Sequence, residues 1–243
     1  MLKKLIKALL PKKYVDELLT IRNNYLDGHS LKSYSQEGED MILRRLFENQ
    51  KSGFYVDVGA HHPKRFSNTY FFYKKNWFGI NIDAMPGSMK SFCKFRPRDI
   101  NIEKPISDKE ELLTYYIFNE PALNGFSKTL SESRDGNGNY FIKDHVDLKT
   151  STLTSILDEK LPDNQEIDFL TVDVEGLDFL VIKSNDFKKY RPKVILIEML
   201  SNKFSEIEND EISKYLLQQG YSIYSKTVNT VFFIEKNFYQ SRL

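Results

Sequence analysis

Four apolar runs, each meeting an acidic residue, limit what this chain can fold into: FYVDVGA at 54–60, WFGINIDAMP at 77–86, IDFLTVDVEG at 167–176 and KVILIEM at 193–199. They are short and rich in β-branched and aromatic residues. Their apolar positions are mostly consecutive rather than alternate. Such runs read as strands covered on both faces, the environment of a parallel sheet with helices above and below. Helical patterns lie between them: NTYFFYKKN, PGSMKSFCKFR and LDFLVIKS. RPRDINIEKPIS adds a third strand ending near Ser107. The β–α–β–α–β alternation predicts a doubly wound α/β sheet.

The flanking segments complete the outline. SYSQEGEDMILRRLFEN opens a helix, with Ser35 as N-cap and Glu37, Glu39 and Asp40 as acids at its start. EELLTYYIFN reads as an edge or hairpin strand, and residues 120–141 as a long loop turned by Gly, Asn and Ser. A loop of that length inside a compact domain is more often functional than accidental. STLTSILDEKL and DEISKYLLQQG are helical, the second stopped by Gly220. YSIYSKTVNTVFFIEK reads as two strands joined by a short turn, so the sheet closes with an antiparallel hairpin strand. Residues 1–30 form an N-terminal helical extension and 31–243 one α/β domain.

Composition excludes several classes. A net charge of +1 carries no general nucleic-acid footprint. The single Cys93 allows no internal disulfide and no cysteine zinc cluster, and suits a reducing cytoplasm. No apolar run reaches the roughly 18–20 residues of a membrane span. MLKKLIKALLPKK places Leu2, Leu5, Ile6, Leu9 and Leu10 on one helical face, with Lys3, Lys4, Lys7, Lys12 and Lys13 around it, before Pro11 ends the pattern. Residues 1–13 could therefore make a peripheral contact with an anionic membrane at the cytoplasmic face. Alternatively, the helix docks on its own domain or on a second copy in a homo-oligomer.

In open parallel sheets ligands meet the C-terminal ends of the strands. Those ends gather Asp57, Gly59, Ala60, His61 and His62; then Asp83 and Ala84; then Ser107 and Asp108; then Asp173, Glu175 and Gly176; and finally Glu198. Asp83 lies 26 residues after Asp57, at the end of the next strand, where a carboxylate can bind both ribose hydroxyls. The first turn keeps only Gly59 of a G-x-G-x-x-G fingerprint, and two imidazoles and Pro63 fill the space a pyrophosphate needs. A ribose–adenine cofactor without pyrophosphate fits better, with S-adenosylmethionine the candidate. Adjacent histidines rarely aim at one ion, so no metal site is read from His61 and His62. One of them as general base or substrate contact, and both as turn packing, stay open. Asp173 and Glu198 are further candidates to take a proton from an acceptor hydroxyl. A divalent metal held by carboxylates is possible but not expected. Gln36 and the neighbouring acids offer a cofactor or substrate contact or simply start a helix, and Asn124 and Asn229 are loop polars able to line a sugar site.

These residues carry a family resemblance. SQEGED, FYVDVGAHHPKRFSNT, WFGINIDAMP, RPRDINIEKPIS, IDFLTVDVEGLDFLVIKS and VILIEM occur in order over roughly residues 33–200, and together they resemble the FkbM family of S-adenosylmethionine-dependent methyltransferases. The resemblance implies a class I methyltransferase (Rossmann-like) fold and O-methylation, often of sugars or polyketide-type products. It places Asp57, Gly59 and Ala60 near the methionine part of the cofactor and Asp83 and Ala84 at the ribose. It puts Ser107 and Asp108 on the adenine side, and Asp173, Val174, Glu175 and Gly176 beside the methyl-transfer centre. The H-H-P-x-x-x-S-N-T variant suggests a carbohydrate acceptor from surface-polysaccharide synthesis. His61-His62-Pro63 departs from the small turn common in relatives. The rival readings are a non-catalytic cofactor- or glycan-binding scaffold, which predicts eroded cofactor acids, and an NAD(P)-dependent oxidoreductase, which predicts a glycine-rich turn.

Overall fold

The computed structural model describes residues 10–26, 29–201 and 203–241. The chain divides into two compact units, Met1–Ser33 and Tyr34–Leu243. In the first, helix α1 (Lys12–Tyr25) starts directly after Pro11. Pro11 thus precedes a helix, where its missing N–H costs nothing. The amphipathic pattern of residues 2–10 lies outside the described residues, apart from Leu10. No described helix is long and apolar enough to cross a membrane.

The second unit opens with α2 (Glu39–Leu46), β1 (Phe54–Val58), α3 (Tyr70–Lys74), β2 (Phe78–Asp83), α4 (Met89–Phe95) and β3 (Ile100–Glu103). An insert follows, comprising β4 (Leu112–Phe118), a 3₁₀ turn (Pro121–Leu123), α5 (Lys128–Arg134) and β5 (Ile142–Lys149). The main fold resumes with α6 (Leu153–Lys160), β6 (Phe169–Val172), α7 (Asp178–Lys183), β7 (Val194–Glu198), α8 (Phe204–Asn209) and α9 (Glu211–Gln218). It ends with β8 (Tyr221–Lys226), β9 (Thr230–Glu235) and α10 (Lys236–Gln240).

The main sheet has seven strands in the order β3-β2-β1-β6-β7-β9-β8. All pairs from β3 to β7 are parallel, and β9 inserts antiparallel between β7 and β8. This is the class I methyltransferase arrangement expected from the sequence. The order reverses at β1, so a crevice opens between the β1 and β6 ends.

Alternation along the strands builds a core on each face of the sheet. Phe54, Val56 and Val58 pack with Ile80, Ile82, Leu170, Val172, Ile195 and Ile197 on one side. Tyr55 packs with Phe169, Leu196 and Phe232 on the other, together with Leu43, Phe47, Phe72 and Trp77. Phe169 is the hub of that second layer. Its ring centroid lies 5.0 Å from Phe72, 5.7 Å from Tyr55, 6.1 Å from Trp77 and 6.2 Å from Phe47.

Several local expectations are corrected. Residues 120–141 are not structureless, because they hold the 3₁₀ turn and α5, capped by Ser127 Oγ accepting from Leu130 N at 3.3 Å. β5 is a strand the pattern did not reveal. IKDHVDLK carries charges on its exposed face and pairs antiparallel with β4 as a separate two-stranded ribbon. α8 was also not anticipated. β3 ends at Glu103, before Ser107. The N-cap position of α2 is Gly38, left-handed with φ of 92°, rather than Ser35; Ser35 Oγ still accepts from the first-turn Asp40 N at 3.2 Å and donates to Asp40 Oδ1 at 3.1 Å.

Truncating the hub ring leaves a cavity that four aromatic neighbours cannot close. Phe169→Ala is expected to lower unfolding free energy by roughly 3–5 kcal/mol, measured as a drop in the chemical-denaturation midpoint at unchanged slope.

Candidate active site

Pairing brings the strand ends level. Val58 stands opposite Ile82 on one side and Val172 on the other, so Gly59, Asp83 and Asp173 leave the sheet at one edge. Gly59 N and Ala60 N donate to Ile82 O at 2.9 and 3.0 Å, and Asp173 N donates to Val58 O at 3.0 Å. The backbones here approach too closely for a side chain. Gly59 has φ of 86°, and a Cβ there would stand 1.7 Å from Asp173 O. The single glycine of the first turn is thus required by its neighbour strand as well as by its own conformation.

A cleft opens above this edge, lined by Asp57, Gly59, Ala60, His61, Asp83, Ala84, Asp173, Glu175 and Glu198, with Gln36 at its wall. Asp83 is fixed by two backbone donors, His61 N to Oδ2 at 2.9 Å and Met85 N to Oδ1 at 2.8 Å. Burial raises its pKa, against the pull of those two bonds. Each oxygen retains a lone pair, so the group suits a ribose diol. His61 takes a positive φ of 49° to aim its N–H at Asp83. Its ring lines the cleft, and burial lowers its pKa, favouring the neutral form. The charged groups facing it are Asp83, Arg65 and Glu120. His62 is spent on the turn, its Nδ1 accepting from Lys64 N at 3.1 Å and Arg65 N at 2.9 Å.

Ser107 and Asp108 lie outside the lining. Ser107 is fully buried and its N–H donates to Ser151 O at 2.9 Å. Asp108 faces Lys183 at 3.9 Å. Because β3 stops early, the chain crosses the cleft edge at Lys104, Pro105 and Ile106 instead.

At the other end of the cleft, Asp173, Glu175 and Glu198 converge, with one carboxylate oxygen from each within 4.8 Å of the others. Asp173 is open to the cleft yet ringed by protein. That enclosure, and then Glu198, Asp178 and Glu175, push its pKa well up. Glu198 is raised to about 7 by burial, then by Glu175 and Asp178. Carboxylates this close disfavour one another's charge and titrate as a group. Glu175 adopts φ of 52° and its Oε2 accepts from Arg134 Nη1 at 2.8 Å. α7 begins at Asp178 without a side-chain cap, and Asp178 instead holds the preceding turn, accepting from Val174 N at 3.1 Å and Gly176 N at 3.3 Å.

The acids before α2 build a wall. Glu37 accepts from Asn229 N and Nδ2, both at 2.7 Å, and Glu39 accepts from Thr227 Oγ1 at 2.8 Å. They tie the helix start to the β8–β9 turn. Several lining residues carried no sequence signal: Lys104, Tyr115, Phe126 and Thr171. Asn68, which donates to Thr171 Oγ1 at 3.0 Å, stood within the S-N-T segment, the one pointer to it.

Residues 57–223 match the family model described as the methyltransferase FkbM domain. The chain belongs to that family. No curated protein has a matching sequence. Similar solved structures include a TehB-like S-adenosylmethionine-dependent methyltransferase from Corynebacterium glutamicum, at 8% identity and TM-score 0.41 over 92% of this chain and 100% of that one. A candidate RNA methyltransferase from Pyrococcus horikoshii aligns at 10% identity and TM-score 0.42 over 82% and 83%. A candidate O-methyltransferase from Klebsiella pneumoniae aligns at 11% and 0.38 over 96% and 95%.

This FkbM protein is an S-adenosylmethionine-dependent methyltransferase. The cleft chemistry fits that cofactor: Asp83 keeps lone pairs free toward the cleft, and the turn at Gly59 carries no glycine-rich phosphate loop among the described residues. Gly59→Ala is expected to remove S-adenosylhomocysteine binding in calorimetry. Gly87→Ala, whose added methyl meets open space at φ of 83°, serves as the control for left-handed strain alone.

Proposed function

We propose that this FkbM enzyme methylates a hydroxyl oxygen of a neutral, carbohydrate-type acceptor. The observation that carries the reading is the carboxylate group at the β6 and β7 ends, with Glu198 poised at about 7. A hydroxyl must lose its proton as its oxygen bonds to carbon. A base with pKa near working pH does this best. When bound, S-adenosylmethionine supplies a methyl group on a positively charged sulfur. An acceptor oxygen held at the acid cluster would take that methyl, its new C–O bond replacing the C–S bond, whose electrons would stay on sulfur. The hydroxyl proton passes to Glu198. The protein's task is orientation, exclusion of water and acceptance of that proton.

The lining supports the acceptor class. Asn68, Asn124 and Asn229 line the cleft together with Phe66, Tyr115 and Phe126, a mixture that suits a hydroxylated ring. Acids outnumber the one lining lysine, Lys104, which disfavours an anionic group in the cleft. We assign the acid cluster to proton transfer rather than to a divalent cation because Arg134 already gives Glu175 a cationic partner.

Calorimetry with S-adenosylmethionine and S-adenosylhomocysteine, against NAD(H) and NADP(H), tests the cofactor side. Asp83→Ala is expected to abolish binding of both sulfur ligands. For the acceptor side, sugars and sugar derivatives are screened for methyl transfer. The rate is expected to rise with pH through about 7 as Glu198 ionises. Glu198→Gln should lower kcat by about 10²–10⁴-fold, and EDTA should change nothing. An undiminished Glu198→Gln enzyme would remove Glu198 as the base, and loss of activity in EDTA restored by Mg²⁺ would reassign the cluster to a metal.

A further inference from the structure

Beneath the cofactor cleft lies a buried cation that the chemistry above does not use. Arg96, just past α4, has no exposed surface. Its Nε donates to Asp99 Oδ2 at 2.7 Å and its Nη2 to Tyr55 OH at 2.9 Å. Its Nη1 donates to Thr69 Oγ1 at 2.9 Å and lies 3.4 Å from Ser67 Oγ. Thr69 Oγ1 in turn donates to Asp57 Oδ2 at 2.9 Å. One hydroxyl therefore links a buried guanidinium to the carboxylate that lines the cleft. The other Asp57 oxygen, Oδ1, takes no hydrogen bond from the described residues.

Asp99 also accepts from Gly79 N at 3.1 Å and Asn81 Nδ2 at 2.9 Å. It is thus held by β2, and Arg96 is held by Asp99. Anchoring Arg96 in the core would need only the Arg96–Asp99–Tyr55 part. The extension through Thr69 points its charge at the site.

We propose that Arg96, acting through Thr69, positions Asp57 and keeps its free oxygen negative for the α-ammonium of the cofactor's methionine portion. The proposal rests on the cofactor reading, with Asp57 at the methionine end. Without the relay, Asp57 would be a buried acid among acids. It faces Arg96 and Thr69 on one side, and Asp83, Asp99 and Asp173 on the others. Burial already raises it to about 6, against the pull of Arg96 and the Thr69 hydroxyl. Removing a hydrogen bond to the charged form raises it further. An Asp57 protonated near neutral pH cannot pair with an ammonium.

The test compares two ligands by calorimetry across pH. S-adenosylhomocysteine has the amino-acid portion, and 5′-methylthioadenosine lacks it. Thr69→Val is expected to weaken S-adenosylhomocysteine about tenfold at pH 7, as loss of one charge-assisted bond implies. It should shift the acidic fall in affinity to higher pH and leave 5′-methylthioadenosine within about twofold, well inside one tenfold step. Thr69→Ser should restore the wild-type profile. Equal loss of both ligands, or no rescue by serine, would overturn the positioning role and leave Thr69 structural. A wild-type protein that binds neither ligand would instead overturn the cofactor reading beneath it.

Discussion

Strand β1 is hydrogen-bonded on both sides, to β2 and to β6, with Val58 level with Ile82 and Val172. That register places three turns at one edge of the sheet within a few ångströms of each other. It leaves no room for a side chain at Gly59, where Asp173 O already stands. A slip of one residue would turn Asp57 into the opposite core and bury Val56 or Val58 among polar groups. The continuous apolar faces of β1, β2 and β6 forbid that slip, so hydrophobic burial fixes the positions of the cofactor acids.

The acids themselves make the site electrostatically costly, and each is supported differently. Asp83 is held by backbone N–H groups, Asp57 by the Thr69 hydroxyl with Arg96 behind it, and Glu175 by Arg134. Asp173 and Glu198 take no side-chain hydrogen bond from the described residues, and burial and the neighbouring acids raise both pKa values, Arg134 offsetting only part of this at Glu198. A buried pair such as Arg96–Asp99 contributes little net stability compared with an apolar substitute, whereas losing one partner costs about 3–5 kcal/mol.

The insert between β3 and α6 lines one side of the cleft with Tyr115, Asn124 and Phe126. Gly125 lies against Glu175, where a Cβ would meet the Glu175 Cβ at 2.8 Å, and a Cβ on Gly176 would meet Ser127 at 3.0 Å. This close seating of the insert on the turn after β6 delivers Arg134 to the acid cluster. The antiparallel ribbon β4–β5 is the frame that carries this part of the cleft wall.

The amino-acid sequence by itself determined the parallel core strands, the antiparallel closing hairpin and the family. Each rests on local pattern: consecutive apolar residues, turn residues, and an acid at each strand end. It also marked the strand-end acids and the lone Gly59 as the place where a cofactor would be met. Tertiary structure alone decided which polar residues share a space. Arg134 and Glu175 are far apart in the chain, as are Asn229 and Glu37, and no periodicity joins them. β5 stayed hidden because a two-stranded ribbon facing solvent needs few apolar residues. Ser107 and Asp108 fell outside the cleft because β3 ends four residues earlier than its apolar pattern suggests. Burial sets the strands from sequence alone. The pKa of Glu198 and the link from Arg96 to Asp57 exist only once long-range packing has removed water from around them.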